Sequence, residues 1–347
     1  MGFIHLKDST NARILVRGAN WIGDAIMTTP VIRAVKKNFP KAHLEVLAKP
    51  WVIPVYENSP YVDEIMVYDD RHRHKMGFGT LVLVKDIKQR CFDLAVLMQN
   101  AFEAGLLVFL AGIRERLGYN TDGRGVLLNR SIKPDPELKK GHLIDYYIGI
   151  LKRAGLKDDG RQMDLFISPS HKADAESFFE KKDIDQSKPL IGISPGAAGG
   201  TAKRWFPARF ARLCRKLSIK YDTKVLIFGE SSDRSLGQYI SNESGHVCVN
   251  IAGETSLGQA FALINACSLF ITNDSGLMHA AAALGVNQVA VIGPTDYLAT
   301  SPANKNSLIV REPVHCSPCL KDVCPTDHAC MEKISVDRVF NECRTFL

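Results

Sequence analysis

The sequence predicts an α/β protein made of two doubly wound, parallel-sheet domains. Three observations carry the prediction. Short apolar runs rich in β-branched residues recur along the chain. Helical patterns with three- and four-residue spacing separate them. The alternation lies on both sides of a polar join, Gly155 to Pro189, which divides the chain into 1–168 and 169–347.

The predicted strands, in order, begin with Arg13–Val16, Leu44–Leu47, Glu64–Tyr68 and Asp93–Met98. Leu190–Ile193, Val225–Phe228, Val249–Ile251, Leu269–Thr272 and Val289–Ile292 follow beyond the join. These runs are too short for helices, and their near-continuous apolar character is that of strands buried on both faces. Between them, Phe206, Phe210, Leu213, Leu217 and Tyr221 mark one helix, with Pro207 suited to its first turn. Ser256 and Gln259 form a capping box that opens another helix, carrying Phe261 and Ile264 inward.

Composition narrows the function classes. The chain has 347 residues, 46% hydrophobic and 23% charged, which excludes a disordered or fibrous chain. No window reaches the roughly 18 apolar residues of a membrane span. The first residues show no apolar h-region, so a cytoplasmic protein without a secretory signal is expected. In that compartment the nine cysteines should be thiols or metal ligands. The net charge of +7 suits an anionic partner, whether nucleic acid, phosphorylated metabolite or membrane face, without choosing among them. No interleaved aromatic and basic pattern supports nucleic-acid binding.

In doubly wound sheets, ligands bind beyond the carboxyl ends of the strands. The informative turns are therefore Gly18–Asp24, Pro195–Thr201, Gly229–Ser232, Asn273–Gly276 and Gly293–Asp296. Gly18 and Gly23 have phosphate-loop spacing, but Asp24 and Ala25 stand where such a loop needs Lys and Ser or Thr. A carboxylate there would repel phosphate. Asp24 either caps the next helix or accepts a proton from a hydroxyl.

The second half carries the anion-site chemistry. Gly196, Gly199 and Gly200 let backbone N–H groups approach a ligand, and Lys203 and Arg204 follow. Together they suit a diphosphate. Strict G-x-G-x-x-G is absent, which argues against a dinucleotide oxidoreductase. Glu230 is placed to accept bonds from a ribose diol or to sit in solvent. Asp274, Ser275 and Gly276 form a polar turn before an Ala-rich helix, and His279 lies in that helix. This histidine is either a phosphate or ribose donor or an ordinary packed residue.

Taken together, Arg17-Gly18 through Gly23-Asp24, Gly200 to Trp205, Ile251 to Leu257 and Thr272 to His279 resemble the heptosyltransferases of glycosyltransferase family nine. The resemblance covers nearly the whole chain and is strongest to the second of the core heptosyltransferases. It implies a GT-B fold, two Rossmann-like domains facing across a cleft, the first binding acceptor and the second ADP-heptose. It implies that Asp24 is the catalytic base. It implies a donor site of Gly199, Gly200, Thr201, Lys203, Glu230, Asp274, Ser275, Gly276 and His279. Some members have Thr at the place of Ser275, and two phosphate-contacting threonines of some members fall near Ala198 and Gly199 here. The implied acceptor is the heptosyl-Kdo-lipid A inner core of lipopolysaccharide, reached from the cytoplasmic face of the inner membrane. No cofactor is required, because Lys203 and backbone dipoles replace a metal. A first-heptosyltransferase activity, or a GT-B enzyme using another nucleotide sugar or acceptor, is the alternative. A two-domain solute-binding protein fits less well, since it lacks a use for Lys203-Arg204.

Two features stand apart. Cys316, Cys319, Cys324 and Cys330 form a compact cluster able to hold a structural zinc or iron–sulfur centre, or to pack as thiols. The other cysteines, Cys91, Cys214, Cys248, Cys267 and Cys343, read as small core residues. The loop Arg71-His72-Arg73-His74-Lys75 is either solvated or meets acidic sugars or an anionic membrane surface.

Overall fold

A computed structural model describes residues 11–347; the expectation about the first residues lies outside them. The chain forms two compact units, Met1–Phe166 and Ile167–Leu347. The first holds strands β1 (Arg13–Arg17), β2 (His43–Ala48), β3 (Glu64–Val67), β4 (Leu94–Leu97), β5 (Glu115–Tyr119) and β6 (Arg130–Ile132). The second holds β7 (Ile191–Ser194), β8 (Val225–Ile227), β9 (Cys248–Asn250), β10 (Leu269–Asn273), β11 (Gln288–Val291) and β12 (Ser307–Val310).

Both sheets are six-stranded and parallel, with orders β3-β2-β1-β4-β5-β6 and β12-β11-β10-β7-β8-β9. Numbered within its own unit, each sheet has the same order, with the direction of winding reversing beside its first strand. That reversal lies between β1 and β4 in one unit and between β7 and β10 in the other. It opens a crevice at the carboxyl ends of those strands.

Every predicted run becomes a strand, shifted by at most a residue or two at its ends. Three further strands carry weaker signals. β6 and β12 are short sheet edges, paired on one side only and half-exposed. β5 is interior but begins with Glu115 and Arg116. The Arg116 guanidinium leaves the sheet to donate to the Leu127 and Ile113 carbonyls at 2.7 and 2.5 Å, which breaks the apolar run.

Side chains alternate across the second sheet into two cores. Ile191, Ile193, Val225 and Ile227 pack under the helices Pro207–Tyr221 and Val336–Cys343. Leu226, Phe228 and Phe270 pack on the opposite face with the helix Leu257–Asn265. Each such fully buried side chain stabilises the fold by about 1.5–3 kcal/mol. Pro207 stands at the first helical position, and Ser256 and Gln259 cap each other at 3.2 and 2.9 Å. Cys214, Cys248, Cys267 and Cys343 are buried, but Cys91 is exposed at a helix end with φ +51°, so it is not a core residue. Among the described residues, no helix is long and apolar enough to cross a membrane.

Candidate active site

In the second unit the crevice between β7 and β10 is built from two turns tied by one side chain. Asn273, the fully buried last residue of β10, accepts the Trp205 backbone N–H at 3.0 Å and donates to the Pro195 carbonyl at 2.7 Å. Trp205 is buried in turn. Its indole donates to the Ile334 carbonyl at 3.1 Å and packs edge-on against Phe210. Lys203 ends the 3-10 turn Thr201–Lys203, two residues before the Trp205 that Asn273 holds. Its ammonium lies 3.4 Å from the buried carboxylate of Asp274.

Ser275 precedes the helix Gly276–Ala283, and its hydroxyl lies 3.1 Å from that of Thr272. His279 is buried within the helix, beside Ala280 and Ala281, which have no exposed surface. Lys203, Asp274, Ser275, Gly276 and His279 thus belong to adjoining turns and one helix end.

Glu230 follows β8 and is exposed. Its backbone N–H donates to Asp233 at 3.2 Å, and Asp233 pairs with Arg204 at 3.6 Å. The ion pair links the turn after β8 to the Lys203 turn.

Two glycines serve the protein's own packing. A side chain at Gly196 would run into the Asp233 carboxylate, and one at Gly200 would collide with the Asp322 carbonyl. Gly200 also has φ +112°, a conformation that side chains disfavour. The Cys-rich segment therefore braces this turn. Ala202 donates its N–H to Asp322 at 2.9 Å, and His328 Nε2 lies 2.6 Å from the Ala202 carbonyl. The same segment covers the turn after β11, where the Pro294 carbonyl accepts from Cys319 and Leu320 and Ser317 binds the Gly293 carbonyl. The carbonyls of Gly293 and Pro294 in that turn are thus taken up by the protein's own packing.

Cys316, Cys319, Cys324 and Cys330 line one cavity of about 110 Å³ together with His328. Backbone N–H groups of Thr326 and His328 point at the Cys324 sulfur and hold its pKa down, while burial raises that of Cys330. Among the described residues, the only three potential ligands with atoms within 4.8 Å of one another are His43, Glu45 and Glu64, so the cysteine sulfurs are spread more widely. Glu45 is fully buried and already paired with Arg13 and Arg90. That trio belongs to an ion-pair network toward the amino ends of β2 and β3.

In the first unit Asp24 is the third residue of the helix Ile22–Met27. Trp21 holds the capping position, so Asp24 is not the cap. The Tyr147 hydroxyl bonds to Asp24; burial first, and then this carboxylate, push the tyrosine's pKa well up. Around the crevice lie cations that the sequence did not single out for function. Arg17 is buried and donates to the Gly18 carbonyl at 2.5 Å and to Asn20 Oδ1 at 2.8 Å. Lys49 is buried, pairs with Asp70 at 2.5 Å and lies 3.6 Å over the Tyr68 ring. Desolvation lowers the pKa of both. Arg124 is buried too, and donates to Asn100 Oδ1 at 2.9 Å. Each sits at or beyond a strand's carboxyl end, the one signal that could have marked Arg17 and Lys49.

The model of glycosyltransferase family 9 (heptosyltransferase) matches residues 80–330. The chain belongs to glycosyltransferase family 9. It is 32% identical over 317 residues to lipopolysaccharide heptosyltransferase 2 of Escherichia coli K12, covering 86% of this chain and 88% of that one. The structure of E. coli ADP-heptose lps heptosyltransferase II matches with a TM-score of 0.81 at 29% identity, over 96% of this chain and 98% of that one. A family 9 glycosyl transferase from Veillonella parvula shares the fold with a TM-score of 0.90 at 24% identity, over 99% of each chain. The resemblance read from the motifs, and the GT-B class it implied, are borne out. The crevice turns of the second unit lie inside the matched range of the family 9 model, and Asp24 lies before it.

Proposed function

We propose that this family 9 glycosyltransferase moves L-glycero-D-manno-heptose from ADP-heptose to the heptosyl-Kdo-lipid A inner core, inverting the anomeric centre. One observation carries the reading. Lys203 and the turn Asp274–Gly276 converge at the winding reversal of the second unit, in a chain related to second heptosyltransferases over most of its length.

In this scheme Lys203 and the turn amides from Gly199 to Thr201 neutralise the departing ADP, while Ser275, Gly276 and His279 hold its phosphates or ribose. Glu230 accepts the ribose hydroxyls. As the sugar–phosphate bond lengthens, positive charge grows on the anomeric carbon. Asp24 takes the acceptor hydroxyl's proton as that oxygen attacks from the opposite face, so a β-linked donor gives an α-heptoside. The unit 1–168 binds acceptor and 169–347 binds donor. The enzyme works at the cytoplasmic face of the inner membrane, where its lipid acceptor is anchored.

The deciding assay is ADP release from ADP-heptose under three conditions: without acceptor, with unheptosylated Kdo-lipid A, and with singly heptosylated core. Release only with the singly heptosylated core is expected. Release with Kdo-lipid A would mean first-step activity, and release with neither would overturn the reading.

No step passes through a metal. To the C-terminal unit we assign a structural metal at Cys316, Cys319, Cys324 and Cys330, supported by the cavity all four line and the N–H groups aimed at Cys324. Binding would draw the sulfurs inward. Elemental analysis of protein purified under reducing conditions should find one zinc or iron per chain, lost in Cys316→Ser/Cys319→Ser. Metal-free protein with an unchanged Tm would discard the assignment.

A further inference from the structure

The helix Phe78–Gln89 has two apolar faces. Leu83 and Ile87 are fully buried in the first unit's core. At about 100° per residue, Phe78, Leu81 and Val82 form a stripe on the opposite side, and they are 89%, 58% and 37% exposed. Met76, in the preceding loop, is 94% exposed. A second apolar face turned to solvent marks an interaction surface.

The charge around the stripe selects its occupant. Between Asp69 and Arg90 there are six Lys or Arg against three Asp. Those aspartates are engaged within the protein: Asp69 holds His72, Asp70 pairs with Lys49, and Asp86 with Arg73. Exposed Arg71 and Lys75 therefore flank an apolar ridge, the arrangement by which an amphipathic helix enters the headgroup layer of an anionic bilayer. The ridge also connects to the catalytic turn. Arg71 lies 4.9 Å over the Trp51 ring, and the Trp51 indole donates to the Asn20 carbonyl at 2.7 Å, four residues before Asp24.

We infer that Met76, Phe78, Leu81 and Val82, with Arg71 and Lys75, form a docking surface for an anionic lipid bilayer, bringing the acceptor-side turn to the membrane that anchors the acceptor. The inference rests on the lipid-anchored acceptor of the proposed function.

The test is co-sedimentation of the full chain with phosphatidylcholine vesicles, with and without about one-third phosphatidylglycerol. The parent should bind only the anionic vesicles. Phe78→Ser/Leu81→Ser and Arg71→Glu/Lys75→Glu should each lower the partition coefficient by about tenfold or more. Lys41→Glu/Lys139→Glu, of equal charge change, should bind like the parent. Phe78→Ser/Leu81→Ser should keep the parent's turnover on a lipid-free heptosylated core oligosaccharide, which shows that it folds. The inference is overturned if the parent ignores anionic vesicles, if the apolar variant binds as well as the parent, or if the ridge instead drives a dimer that this variant dissolves. Failure of the parent to turn over lipid-free acceptor would count against the proposed reaction, and the vesicle arm would still decide the surface.

Discussion

Asp24→Asn is expected to lower kcat by about 10²–10⁴-fold while leaving affinity for ADP-heptose nearly unchanged. The amide has the carboxylate's shape, so the helix Ile22–Met27 and its packing should persist. It can still accept the Tyr147 hydroxyl bond, but it cannot take a proton from an attacking alcohol. Asp24 belongs to the unit that does not carry the Lys203 turn, so donor binding measured by calorimetry should be spared. Initial rates of ADP release at saturating donor and acceptor give kcat directly. Near-normal turnover would remove Asp24 from the chemistry.

Lys203→Ala should act on the other half of the reaction. One charge-assisted bond to a phosphate oxygen contributes about 1.5–3 kcal/mol, so ADP should bind about 10–100-fold more weakly. A second effect adds to this. The ammonium lies 3.4 Å from the Asp274 carboxylate, which is 7% exposed. Removing the cation leaves that negative charge unopposed where the diphosphate must sit. Lys203→Ala should therefore lose more affinity than Arg204→Ala, whose side chain pairs with Asp233. Titration with ADP, or the rise of Tm with ADP concentration, reads this out. Unaltered ADP affinity would exclude Lys203 from the donor site.

Much of this architecture could be read from the chain. Runs such as Arg13–Val16 and Val289–Ile292 are buried on both faces, and burial of that kind writes itself as uninterrupted apolar sequence. β6 and β12 are edges with one partner each, so they need less apolar surface and leave a weaker trace. At the site, the turn Asp274–Gly276 and Lys203 were visible because polar residues after a strand are distinctive. Arg17 and Lys49 were not, because a cation beside apolar residues looks the same whether it folds back under the sheet end or enters solvent. Gly200 was legible as a special residue, but one reason for it was not. Its missing side chain makes room for Asp322, more than a hundred residues away, and local sequence holds no sign of so distant a neighbour. Asn273 was read as part of a ligand turn, whereas its carboxamide is spent on Trp205 and Pro195.

That carboxamide has a consequence for how a nucleotide would be received. One side chain ties the turn after β7 to the end of β10, so the two lips of the crevice are joined to each other. A nucleotide bound by the proposed site would meet lips already linked, and less of its association energy would go into ordering them.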